Sequence, residues 1–220
     1  MNPSLIHSEL RRSPVRRLIA EQIRNGSLRP GDRLSPGVLA AELGLSATPL
    51  REALIELVRD GYLDNRPQYG FAVRPLRAKE VEELYPMVSS IESLAIRDQV
   101  FDSQRLGELD RINERFAKAR NPGDVAKLDA IWHSTLVSGC GNETLHEILG
   151  VIKSRIQRYE DAYIRYSGAM PASAKQHRAI TRALRVGDVQ TAEKVLNDNW
   201  LAGIGFLVPW LEAHAPNNPG

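Results

Sequence analysis

From about Leu76 to the C-terminus, apolar residues recur three and four positions apart, and no alternating run interrupts them. Such a stretch can bury its apolar stripes only by packing helix on helix. Six helical segments follow from this spacing: 78–99, 103–120, 122–139, 142–167, 172–186 and 188–213. The breaks between them fall at Asp102, Asn121-Pro122, Gly139–Gly141, Ser167–Pro171 and Gly187, residue types that cap or stop helices. With links this short, the segments predict a six-helix antiparallel bundle.

The first 76 residues obey a different pattern. A helix is expected over Pro14–Asn25, carried by Val15, Leu18, Ile19 and Ile23, and Gly26 ends it. Pro30-Gly31 fixes a tight reversal. A short helix then spans about Pro36–Leu43, packs through Leu39, Ala40 and Leu43, and stops at Gly44. A third opens at Ser46 or Thr48, tolerates Pro49 in its first turn, and runs to Arg59 on Leu50, Ala53, Leu54 and Leu57. Two β-capable runs, 61–64 and 71–73, flank a turn at Asn65–Gly70. This is the order of a winged helix-turn-helix. The expected fold class is therefore mainly α, with the winged domain over 1–76 and an all-helical domain over 77–220.

Charge separates the two halves. Residues 1–76 hold 11 Arg, no Lys and 8 acidic residues, whereas 77–220 hold 18 basic and 19 acidic ones. An all-arginine excess at one end suits contact with phosphates. A single cysteine, Cys140, excludes a disulfide framework and a Cys-rich zinc site. No apolar run approaches the ~20 residues of a membrane helix, and no secretory pattern opens the chain, so a cytoplasmic protein with no membrane partner is expected.

In a winged helix-turn-helix the third helix enters the major groove by its N-terminal end, which here carries Ser46, Ala47, Thr48 and Arg51. Hydroxyls and helix N–H groups suit phosphates, and Arg51 can reach a phosphate or a guanine edge. The run Gly26–Leu34, then Leu39-Ala40, Leu43–Leu54, Gly61-Tyr62-Leu63 and Gly70–Val73, closely resembles the GntR family of bacterial regulators. The resemblance implies a homodimer on a double-stranded DNA operator, with contacts from Arg33, Ser46, Thr48 and Arg51 and from the wing residues Gln68, Tyr69 and Gly70. Two departures make the operator unpredictable: Ala47 replaces a customary Arg, and Pro36-Gly37 replace a customary Glu-led pair.

Polar residues on the helical stripes point to a second site. Asp129 and His133 lie four apart at the edge of the stripe Val125, Leu128, Trp132, Leu136. His177 shares a face with Ile180 and Leu184, and Asn199 falls among Ala192, Val195, Leu196, Gly203 and Phe206. Arg155 is placed on a face with Ile148, Ile152, Tyr159 and Tyr166. Several buried polar groups converging suggest a shared cavity. Imidazole and carboxylate together can bind Zn, Ni or Mn ions, although an Asp-x3-His pair alone equally fits a surface pair or a satisfied core histidine. Asp129-x-x-Trp132-His133, Asn142, and His177-x-x-Ile180 with Ala183 and Gly187-Asp188 resemble the FCD effector domain of the FadR subfamily, in its six-helix VanR-like branch. That resemblance implies a small-molecule effector, commonly a carboxylate, and a divalent metal held by Asp129, His133 and His177. Asn199 stands where a further His is expected and is a weaker ligand. The alternative is a metal-free polar pocket in which Asn199 bonds His177 or the effector. Tyr85, Val88, Arg155 and Asn199 are the expected effector contacts. Val88 occupies a position where relatives often carry Arg, which leaves Arg155 as the expected anion partner.

The function expected from these features is a DNA-binding repressor controlled by a metabolite, not an enzyme. Its rivals are a helical metal-dependent hydrolase and a homologue that has lost DNA binding. The winged motif argues against the first, and Ala47 keeps the second in view.

Overall fold

The computed structural model describes residues 14–66, 70–168 and 173–214. They fall into two compact units, Met1–Leu76 and Arg77–Gly220.

The first unit comprises α1 (Pro14–Arg24), β1 (Arg33–Leu34), α2 (Pro36–Leu43), α3 (Ala47–Arg59), β2 (Leu63–Arg66) and β3 (Gly70–Val73). Ile19 and Ile23 of α1 meet Leu50, Leu54 and Leu57 of α3, and Phe71 and Val73 close the core from the sheet. Leu18, expected on the buried stripe of α1, is 40% exposed, because a four-residue spacing through Val15, Ile19 and Ile23 already covers α3. Arg16 reaches from α1 to Asp60 at the end of α3, Nε donating at 2.8 Å.

The sheet differs from the sequence expectation in two respects. It has three antiparallel strands in the order β1-β3-β2, where two were expected. At two residues β1 is too short to show alternation; it is held by Gly31 N donating to Val73 O, and Val73 N to Asp32 O, both at 2.9 Å. The run expected from residue 61 begins only at Leu63. Gly61 sits at φ 78°, and Tyr62 N still bonds back to Leu57 O of α3.

The second unit contains α4 (Ala78–Arg97), α5 (Ser103–Lys118), α6 (Pro122–Val137), α7 (Glu143–Ser167), α8 (Ala174–Arg185) and α9 (Val189–His214). Three helices start on side-chain caps: Asp102 accepts from Arg105 N, Asn121 from Gly123 N, and Asn142 from Leu145 N. Each such cap contributes about 1 kcal/mol. Helix α4 packs along α9 and against α7; α5 packs on α6 and α8; α8 leans on α9. At the start of α4, Tyr159 of α7 donates to Glu80 Oε2 at 2.6 Å and accepts from Arg77 N at 3.3 Å.

Two helix faces are corrected by this packing. Helix α7 buries Leu145, Leu149, Ile152, Ile156, Tyr159 and Ala162, while Ile148 and Tyr166 are 48% and 64% exposed. The face proposed for Arg155 is therefore split: Ile152 and Tyr159 are buried, Arg155 is half-buried, and Ile148 and Tyr166 face outward. On α6, His133 is only 1% exposed, so it belongs to the core, not to the edge of the stripe. Among the described residues no helix is long and apolar enough to cross a membrane.

Candidate functional site

In the winged unit, Ser46, Ala47, Thr48, Pro49 and Arg51 are all exposed around the start of α3. Ser46 is the N-cap in extended conformation, yet its side chain makes no capping bond. The first-turn N–H groups thus lack that intrahelical acceptor and can take one from outside. Arg33 is exposed on β1, and Gly70 opens β3 at φ 71°. Gln68 and Tyr69 lie outside the described residues.

In the helical unit, α6 and α8 bring together Asp129, His133 and His177, whose ligand atoms all lie within 4.8 Å of one another. Asp129 Oδ1 is 3.4 Å from His177 Nε2, and Oδ2 is 3.8 Å from His133 Nε2. Ligands about 2.1 Å from a shared ion stand roughly 3–3.5 Å apart, so the set nearly fits one. His177 is fully buried, stacks on Trp132 with ring centroids 3.8 Å apart, and neither of its nitrogens has a hydrogen-bond partner. Burial, and then the nearby His133 ring, hold its pKa well below the usual histidine range. It is a neutral imidazole with its lone pair available, as a metal requires.

Behind this set lies Glu92 of α4, fully buried. Its carboxylate contacts His133 Nδ1 at 2.8 Å, accepts from Trp200 Nε1 at 2.7 Å, and pairs with Lys153 Nζ at 2.6 Å. Burial alone would raise its pKa, but His133 and Lys153 outweigh burial and hold it at about 2. An ionised carboxylate can only accept, so His133 Nδ1 carries the proton and directs the Nε2 lone pair toward Asp129.

A cavity of about 130 Å³ opens beside these residues, lined in part by Tyr85, Asp129, His133, Glu160, Asn199 and Trp200. Asn199 Nδ2 donates to Gln176 Oε1 at 3.1 Å. Glu160 has a pKa raised to about 8, first by burial and then by the charge of Asp129. Burial and the neighbouring Glu160 push the Tyr85 phenol well above its usual range. Gly203 of α9 admits the Tyr85 ring, since a Cβ there would stand 2.3 Å from Tyr85 Cε1.

Of the four expected effector contacts, Tyr85 and Asn199 line this cavity. Val88 is fully buried and does not, and Arg155 lies instead 4.0 Å from Glu80. Glu92, Lys153 and Glu160 were not anticipated. A lone Glu or Lys on a helix ordinarily reads as a solvated face; the only available signal was Glu92 at helical spacing from Tyr85, Val88 and Ser89, all buried.

Residues 12–73 match the family described as bacterial regulatory proteins, gntR family, and residues 83–200 match the FCD domain. The chain is 31% identical over 215 residues to the "Probable D-xylose utilization operon transcriptional repressor" of Paenarthrobacter nicotinovorans, spanning 94% of this chain and 90% of that one. It is 28% identical over 185 residues to the HTH-type transcriptional regulator YdhC of Bacillus subtilis, spanning 80% and 81%. Its fold is similar to that of E. coli McbR/YncC, with a TM-score of 0.69 at 23% identity over 89% of this chain and 96% of that one.

Proposed function

The chain belongs to the gntR family of bacterial regulatory proteins and carries an FCD domain, and on that premise we propose how its two units divide the work of a transcriptional regulator. Its relatives are regulators, not enzymes. Residues 1–76 bind a DNA operator, with the start of α3 in the major groove and the wing alongside. Residues 77–220 bind a small effector in the cavity between α4, α6, α7 and α9. The protein acts as a cytoplasmic homodimer on a palindromic site, and effector binding lowers its grip as a repressor. Arg33, Ser46, Thr48, Arg51 and the wing residues Gln68, Tyr69 and Gly70 are the proposed DNA contacts.

The observation that carries the DNA reading is the exposed, uncapped start of α3, with Ser46, Thr48 and Arg51 outward while Leu50, Ala53, Leu54 and Leu57 hold the helix from behind. A mobility-shift titration on the chain's own upstream region, at several salt concentrations, tests it. A sequence-specific shift is expected; none there, nor on any site selected from random DNA, overturns it.

Asp129, His133 and His177 would hold a divalent ion, Zn, Ni or Mn. The orphaned nitrogens of His177 and the mixed carboxylate–imidazole donor set fit one. Such an ion would supply a positive charge at one wall of the cavity. The chain's own residues do the rest: Glu92 fixes the His133 tautomer and ring, Trp132 holds His177, and Asn199 with Gln176 edges the cavity.

A further inference from the structure

Taking the cavity as the effector site, we propose that its Tyr85–Glu160 end receives a protonated amine, so that the effector is a small organic cation or a compound bearing an ammonium group. This rests on the effector reading above and names the chemistry of the ligand.

Among the described residues no Lys or Arg lines the cavity. Arg155 is placed beside Glu80, and Lys153 is committed to Glu92. Two carboxylates, Asp129 and Glu160, do line it. If a metal takes Asp129, Glu160 remains at the other end, where its carboxyl interacts with the Tyr85 hydroxyl and no Lys or Arg of the lining pairs with it. Tyr85 lines the same end, is 2% exposed, and its phenol interacts with Glu160. Asn199 gives one amide N–H to Gln176, and its carbonyl oxygen is an acceptor beside its second N–H. An ammonium brings three donors, for the Tyr85 and Asn199 oxygens and for a Glu160 that ionises as the cation binds, its own proton passing to solvent. Phe206 and Trp200 supply aromatic walls, which attract cations through their faces. The volume of about 130 Å³ sets the size, because a cavity of roughly 150 Å³ takes a benzene-sized guest.

The test uses three probes of matched shape: 3-methylbutylamine, 3-methylbutan-1-ol and 3-methylbutanoate. Binding to the full chain is followed by saturation-transfer NMR and by Trp fluorescence, once after EDTA treatment and once after zinc loading. The amine is expected to bind at least ten-fold more tightly than the carboxylate in both states. Glu160→Gln should weaken the amine by about 10–100-fold, the usual worth of a charge-assisted bond. Tyr85→Phe, which keeps the ring, should weaken it less and leave the alcohol unaffected. Preference for the carboxylate in either state, or amine binding indifferent to Glu160→Gln, overturns the cation assignment while leaving the effector cavity standing. If none of the three probes binds in either state, the cavity reading falls with it.

Discussion

Gly203 and Gly205 lie two residues apart on α9, and replacing each by Ala should give opposite results. In a helix interior, Ala is favoured over Gly by about 0.5–1 kcal/mol. Around Gly205 nothing lies within 4 Å of an added Cβ, so Gly205→Ala should gain that amount. At Gly203 the added Cβ would stand 2.3 Å from Tyr85 Cε1 and 2.9 Å from Cδ1, so the ring must retreat by about an ångström. Tyr85 is 2% exposed and meets Trp200 edge-on at 5.8 Å, which leaves the ring only the cavity to move into. Overpacking of this kind costs about 1–3 kcal/mol. The helix-propensity gain is common to both variants, so their difference isolates the ring contact at about 1–3 kcal/mol, with Gly203→Ala the less stable. All three tryptophans, Trp132, Trp200 and Trp210, lie in the helical unit, so intrinsic fluorescence reports its unfolding without signal from the winged unit. At roughly 2–4 °C per kcal/mol, melting curves resolve the two variants. Equal stabilisation by both would show that Tyr85 does not rest on α9 at Gly203.

Further outcomes follow from the same residues. Glu160 holds its proton to about pH 8 in the fold but to about 4.5 when unfolded, so its stabilising contribution is complete below pH 4.5 and is lost as pH rises through 8. In EDTA, the stability of wild type minus that of Glu160→Gln should fall by about 1.4 kcal/mol per pH unit between roughly pH 5 and 8; a flat difference in urea titrations refutes the buried carboxyl. Glu92→Gln should weaken metal binding by about 10–100-fold, because His133 exchanges an ionised acceptor for a neutral amide, and isothermal titration with Zn on untagged protein measures it. A stoichiometric ion that survives His133→Ala, by elemental analysis, would contradict the ligand set. Arg51→Ala should cost about 1–3 kcal/mol of operator affinity, or flatten the salt dependence by about one unit of slope if the contact is a phosphate. No change in either would remove α3 from the groove.

Most of the fold was legible because its punctuation is chemical. Asp102, Asn121 and Asn142 do cap the helices they were expected to start, and Gly44 and Gly187 do sit at positive φ where helices end. Strand β1 escaped because two residues carry no period. The site was legible only in part: periodicity placed Asp129, His133 and His177 on the right helices, but it cannot rank depth, and His133 proved buried. Glu92 and Glu160 were hidden for a general reason. Helical spacing predicts apolar burial well, whereas a buried carboxyl needs either partners on other helices, as Glu92 has in Lys153, Trp200 and His133, or a retained proton, as Glu160 has.

Helix α7 presents neighbouring residues to two different places. Glu160 lines the cavity, while Tyr159 holds Glu80 and the backbone of Arg77, the first residue of the helical unit. Adjacent residues of one α-helix cannot shift independently, since the same ladder of backbone hydrogen bonds carries both. Any displacement of the α7 backbone at Glu160 therefore carries Tyr159 with it, and the 2.6 Å bond to Glu80 lengthens or bends. The helix works as a lever whose two ends are one residue apart. A guest that shifts α7 itself need not reorganise the rest of the bundle to reach the contact at residue 77.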